Sequence, residues 1–185
     1  MDMEKMHVKD LMVAVDKFPR ISENDPFFAA LTALEKAQED FLAGKSQQRI
    51  VLVENDQGKV VGKLSPIDLF KGLETKYDQI DTEGILKKLG YSYIWKKMQS
   101  DYNLWKSPFK DLCGKAASIQ IKTFLNPITP GQSVSVDDDL SKCFHLFVMN
   151  RHDSLFVFEG KTLVGLLRFS DMYTEISQTM KECSL

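Results

Sequence analysis

The chain has 185 residues, 43% hydrophobic and 27% charged, with a formal charge of −2, which suits one domain or two small ones sharing a core. That charge gives no basis for nucleic-acid binding or attraction to an anionic membrane, and no apolar run reaches the length of a membrane span. The opening residues Met1 to His7 lack the apolar core of a signal peptide, and Cys113, Cys143 and Cys183 are too irregularly spaced for a disulfide framework, so a reducing, cytoplasmic location is expected.

In chain order, Val8-Lys9-Asp10-Leu11-Met12 comes first, and Ile21-Ser22-Glu23-Asn24-Asp25 follows as a short strand and turn. Asp25-Pro26 then reads as a helix start, with a capping aspartate and a proline at the first helical position. Phe27, Ala30, Leu31, Leu34, Phe41 and Leu42 recur at helical spacing, and Gly44 suits the terminator. Ile50-Val51-Leu52-Val53-Glu54 is an apolar strand. The segment Gly58 to Leu69 is a second strand that enters a helix through Ser65-Pro66-Ile67-Asp68.

Residues 75–108 hold both tryptophans, Trp95 and Trp105, and the tyrosines Tyr77, Tyr91, Tyr93 and Tyr102. A flexible linker would be poor in aromatics. Ile85, Leu86 and Leu89, ended by Gly90, suggest one short helix, and Ile94, Trp95, Met98 and Trp105 another. Two readings fit: a helical connector packing its aromatics on the rest of the chain, or a docking surface for a protein partner or second copy.

The order of elements then recurs. Phe109-Lys110-Asp111-Leu112-Cys113 resembles Val8 to Met12 at a spacing of 101, and Val134 to Asp138 resembles Ile21 to Asp25 at 113. Leu140, Cys143, Phe144, Phe147 and Val148 form one helical stripe behind the acidic run Asp137-Asp138-Asp139, which suits a helix start far better than a metal site. Cys143 sits in that stripe as a small hydrophobe. Leu155 to Glu159 is the next strand. Val164-Gly165 and Asp171 repeat Val61-Gly62 and Asp68 at a spacing of 103. Ile21 to Asp68 spans 47 positions and Val134 to Asp171 spans 37, so a longer first helix and loop explain the changing offset. The unit reads strand, helix, strand, strand, helix, twice over.

These two Val-Gly segments, each followed by an aspartate and in register with their upstream elements, make the chain resemble a tandem pair of CBS domains, a Bateman module. The resemblance covers residues 8 to 74 and 109 to 181. It implies an α/β sandwich of α+β type: two CBS units, each a small mixed sheet carrying two helices, related by pseudo-twofold symmetry and packed sheet to sheet. The expected boundaries are 1–74 for the first unit, 75–108 for a helical insert and 109–185 for the second unit. The equivalent strand-to-helix turns would line clefts between the units, and family members commonly pair, so a homodimer is expected.

In family members that bind adenine nucleotides, a Ser/Thr-x-x-Asp turn meets the ligand. By resemblance, Asp68 contacts the ribose hydroxyls and Ser65 the phosphate. A carboxylate suits a vicinal diol, both of whose O–H groups donate, and a helix start attracts an anion. Ser-Pro-x-Asp is equally a complete helix start that needs no ligand. The second turn departs from the pattern: Arg168-Phe169-Ser170-Asp171 has arginine in place of the hydroxyl residue. Asp171 retains the ribose role, while Arg168 either binds phosphate, pairs with Asp171 or fills the cleft. Ser170 is offset from the Ser65 position and suits a cap on the helix that follows. Lys63, Arg49, Arg151 and His152 border the expected site, facing either phosphate or solvent at strand edges. Both strands lack the proline many family members carry near their start, which bears on the adenine pocket.

No phosphate-binding loop, nucleophile elbow or His-Glu-x-x-His helix is present, and Cys143 and His145 do not share a helix face. The expectation is a non-enzymatic regulatory module that requires no cofactor or metal. It binds AMP, ADP, ATP or S-adenosylmethionine and signals to a protein partner. The alternative is a scaffold that has kept the fold and lost the ligand.

Overall fold

The computed structural model describes residues 5–46, 49–74, 100 and 111–182. The chain forms two compact units: Arg20–Asn126, and Met1–Pro19 together with Pro127–Leu185. The helices expected within 75–108 lie outside the described residues, as does Cys183.

In the Arg20–Asn126 unit, three strands pair in the order β2 (Arg20–Ser22), β3 (Val51–Glu54), β4 (Val60–Leu64). β2 and β3 run parallel, so the chain must cross over between them. The crossover is helix α2 (Phe27–Leu42). β3 and β4 form an antiparallel hairpin closed at Asn55, whose side chain accepts the N–H groups of Gln57 and Lys59 at 3.0 Å. Gly58 supplies the left-handed conformation there, with φ +70°. β4 enters helix α3 (Pro66–Leu73). The sheet buries Val51, Val53 and Leu64 against Phe27, Ala30, Leu34 and Ala37 of α2 and Leu69 of α3.

The second unit repeats this plan with one strand more. Its order is β1 (Val13–Ala14), β7 (Thr162–Arg168), β6 (Ser154–Glu159), β5 (Ser133–Ser135). β5 and β6 are parallel, joined by α5 (Leu140–Asn150), and the antiparallel β6–β7 hairpin leads into α6 (Phe169–Glu182). Val134, Leu155, Val157 and Leu167 pack against Leu140, Cys143 and Phe147 of α5 and Met172 of α6. In both hairpins the register slips one step beyond the glycine pair, after Val53↔Gly62 and after Val157↔Gly165. The expected mixed sheets and helices are therefore present in duplicate.

The grouping differs from the sequence boundaries 1–74 and 109–185. The opening helix α1 (Val8–Leu11) and β1 pack in the unit formed by residues 127–185. Residues 116 to 126, which include the end of helix α4 (Leu112–Ala117), pack in the unit of β2 to α3. Each unit thus takes its leading segment from the other half of the sequence. Backbone hydrogen bonds fix the equivalence. Val8 N–H donates to Asp138 C=O as Ile121 N–H does to Asp25 C=O, and Lys9 N–H donates to Val136 C=O as Lys122 N–H does to Glu23 C=O. The structural counterpart of Val8 to Met12 is therefore Ile121 to Leu125, not Phe109 to Cys113. In the Lys-Asp-Leu likeness Lys9, Asp10, Asp111 and Leu112 are exposed and carry no register, whereas buried Val8 and Ile121 do. Asp111 instead caps α4, its carboxylate accepting Gly114 N–H at 3.2 Å.

The same equivalence explains the missing fourth strand. Val13 and Ala14 correspond to Asn126 and Pro127. Proline has no N–H to donate to a ladder. Among the described residues the segment at Asn126 passes close to β4 without joining it: a Cβ added to Gly62 would lie 2.8 Å from Leu125 Cδ1 and 3.0 Å from Asn126 O. At Gly165 the corresponding distance is 2.5 Å, to Val13 O. Glycine stands at both positions because a strand or segment crosses directly over it.

Two helix details also differ. α2 begins at Phe27 with Pro26 as its cap residue, and the Asp25 carboxylate accepts Ser22 N–H at 3.0 Å instead. The Phe27 N–H is satisfied by Ile119 C=O, which displaces the need for a side-chain cap. At the other end Ala37 is buried, while Phe41 and Leu42 are 38% and 73% exposed, so the apolar stripe leaves the core after Ala37. On α5, Leu140, Cys143 and Phe147 are buried but Phe144 and Val148 face solvent.

Candidate functional site

The β4–α3 turn is held from both sides. Leu64 and Leu69 are buried in the core, and Gly72 lets α3 approach the Phe124 ring, which a Cβ would meet at 2.7 Å. Between these anchors Ser65 adopts extended backbone, φ −125° and ψ 168°, and Pro66 opens the helix. The Asp68 carboxylate folds back: Oδ2 accepts Ser65 N–H at 2.8 Å and Ser65 Oγ–H at 2.6 Å. Asp68 N–H donates to Ser65 C=O at 3.0 Å. Both side-chain bonds fall on Oδ2, and Oδ1 accepts no hydrogen bond from a described residue. Ser65 and Asp68 are half-buried, flanked by Ile67 and Phe70, each 60% exposed. The turn is a fully formed cap with one carboxylate oxygen still able to accept donors.

Lys63 lies two residues earlier on β4, across from Leu52 of β3. The burial alternation along β4 puts it on the sheet face opposite Leu64. Arg49 is exposed, its guanidinium 4.7 Å above the Phe41 ring. It is drawn to that ring and makes no ion pair with Asp68 among the described residues.

The β7–α6 turn uses the same aspartate position with other chemistry. Arg168 ends β7 opposite the fully buried Ser154. Its Nε donates to Asp171 Oδ2 at 2.6 Å and its Nη2 to Asp171 Oδ1, a two-pronged pair that engages both carboxylate oxygens. The side chains are 10% and 20% exposed. Of the three roles open to Arg168 in the sequence, pairing with Asp171 is the one observed. Ser170 lies within the first turn of α6 and does not cap it; its C=O accepts Thr174 Oγ1–H at 2.9 Å. The α6 start is instead tied by Phe169 N–H to Asp153 C=O at 2.9 Å and by the Phe169 ring against Phe147. Nothing in the spacing of Asp153 and Ser154 marked them as supports of this turn.

Arg151 ends α5 in the left-handed conformation, φ 52°, with an exposed side chain. It makes no bond to Arg168 or Asp171 among the described residues, so the structure gives it a helix-terminating role. His152 is half-buried before β6.

The acidic run meets bases. Lys9 Nζ reaches Asp137 at 2.8 Å, and its hydrogen bond and charge hold that carboxyl below its usual range. Burial pushes the Asp138 carboxyl up, but hydrogen bonds from Lys142 and Ser135 N–H outweigh this and hold it below its usual range. The run thus pins α1 and the α5 start. Among the described residues no cluster of His, Cys, Asp and Glu could hold a metal ion, and no helix is long and apolar enough to cross a membrane.

The chain holds two duplicated units of this plan, each with a strand-to-helix turn bearing an aspartate. Residues 124–178 match the CBS domain family. The matched stretch begins at Phe124, within the leading segment that packs on the other unit. Among solved structures, a CBS domain-containing protein of unknown function from Bacillus anthracis is 14% identical with a TM-score of 0.60, covering 96% of each chain. A hypothetical conserved protein from Geobacillus kaustophilus is 15% identical with a TM-score of 0.58, over 94% of this chain and 98% of its own. The protein CBSX2, solved in complex with AMP, is 15% identical with a TM-score of 0.52, over 94% of this chain and 98% of its own. At such identities the likeness establishes the fold. No curated protein matches the chain.

Proposed function

We propose that the chain is a regulatory module that binds an adenine nucleotide at the Ser65–Asp68 turn and transmits the bound state to a protein partner without chemistry on the ligand. The observation that carries this reading is the Asp68 carboxylate, fixed at a helix start by Ser65 with Oδ1 left to accept ribose hydroxyls. The Ser65 hydroxyl, now donating to Asp68, is a rotor that turns to a phosphate when one arrives. The α3 start adds backbone N–H groups and the positive end of its dipole. The fold shared with CBSX2, solved with AMP, supports the ligand class. The ligand acts only through its differential affinity for two conformations of the chain.

A cytoplasmic homodimer belongs to the same reading. Exposed apolar side chains on the helices support it: Phe28 and Phe70 in one unit, Val148, Met149, Tyr173 and Met180 in the other.

Thermal unfolding with AMP, ADP, ATP or S-adenosylmethionine tests the proposal. A ligand at a hundredfold excess over Kd stabilises the folded chain by about 2.7 kcal/mol. The expected result is a clear rise in Tm with one of them, abolished in Asp68→Asn, which keeps an acceptor for the cap but loses the charge. No rise with any of the four would leave the scaffold reading in its place.

A further inference from the structure

The two aspartate turns are equivalent in the fold but not in what occupies the carboxylate. At Asp68 the capping bonds take one oxygen. At Asp171 the guanidinium of Arg168 takes both, in a pair only 10% and 20% exposed. Resting on the nucleotide reading above, we infer that Arg168 is a built-in plug: it closes the second subsite, so the chain takes one nucleotide, at Asp68 alone.

The physical case rests on what a ribose would have to displace. A vicinal diol is neutral and offers two ordinary O–H donors. The guanidinium offers two charge-assisted N–H donors in a planar fork that matches the carboxylate. Exchanging the second for the first would leave a cation in a site from which water is largely excluded, with its counter-charge given to a neutral group. Arg168 cannot escape by losing its proton. Its side chain is only 10% exposed. At the Ser65 turn no such exchange is required, since the hydroxyl that now donates to Asp68 only rotates.

The inference predicts a stoichiometry and a gain of function. In isothermal titration of the full chain with AMP, one AMP binds per chain, and Asp68→Ala reduces this to none. Arg168→Ser recreates at the second turn the Ser-x-x-Asp pattern of Ser65 and Asp68, and two AMP bind per chain. In the Asp68→Ala, Arg168→Ser double variant one AMP binds again. Two AMP on the unaltered chain, with one remaining in Asp68→Ala, would overturn the plug while leaving the nucleotide reading intact. The same holds if folded Arg168→Ser, verified by its thermal transition, still binds only one. Should Arg168→Ser not fold, the counts for the unaltered chain and Asp68→Ala decide alone. Absence of AMP binding by every one of these proteins, together with no rise in Tm from ADP, ATP or S-adenosylmethionine, would overturn the nucleotide reading and the plug together.

Discussion

Gly165 and Gly62 show how single residues hold the duplicated plan. A Cβ at Gly165 meets the carbonyl of Val13, part of a hydrogen-bonded strand that cannot yield, whereas at Gly62 the nearest atom is the tip of a leucine side chain. Gly165→Ala should therefore cost about 1–3 kcal/mol, and more than Gly62→Ala, read from urea midpoints. Cys143 gives a second test. Its burial in the α5 stripe pushes the thiol up to about 11, so it carries almost no thiolate at neutral pH. Brief iodoacetamide treatment of the folded protein should alkylate exposed Cys113 and spare Cys143, as peptide masses would show. Modification of both at equal rates would mean the α5 core opens readily. The glycines and Cys143 were legible in the sequence because repetition and helical spacing marked them. The Arg168–Asp171 bond was legible only as one of three options, since spacing brings the side chains within reach but burial decides whether they pair.

At the scale of elements, α1 and α5 are joined through the acidic run. Asp138 sits at the start of α5 and accepts from Ser135 N–H at 2.7 Å and Lys142 at 2.6 Å. Its carboxyl is held below the ordinary value of 3.8, so its contribution to stability is present above that pH and lost as pH falls below it through the folded value. Asp138→Asn should lower stability at neutral pH and flatten the acid limb of a stability–pH curve below about pH 4. An unchanged limb would show that the ion pair contributes nothing. Element types were readable because α5 keeps a 3.6-residue period and β4 alternates. The ends were harder to read. α2 loses its stripe after Ala37, and its start is satisfied by Ile119, a residue 92 positions after Phe27 that local pattern cannot reach.

For the whole molecule, the decisive feature is the exchange of leading segments. Met6 and Val8 are core residues of the unit built from residues 127–185, not of the unit that holds β2, β3 and β4. Deleting residues 1–14 should therefore expose amides of β7 to hydrogen exchange while β3 keeps its protection. Loss of protection in β3 first would refute the exchange. The repeat was visible in the sequence, but its phase was not. Lys-Asp-Leu occurs twice, and the true partner of Val8 to Met12, Ile121 to Leu125, shares buried shape more than identity.

That exchange sets an order of events on the ribosome. The unit of Arg20–Asn126 has every one of its parts once residue 126 has emerged. Val13 and Ala14 leave the tunnel ahead of that unit but belong to the one completed later, since they wait for Leu166 and Gly165. At about 5–20 residues per second the interval is about 8–30 s. Throughout it, Met6, Val8, Leu11 and Met12 form an apolar segment without its partner, open to whatever chaperone or neighbouring chain meets it first.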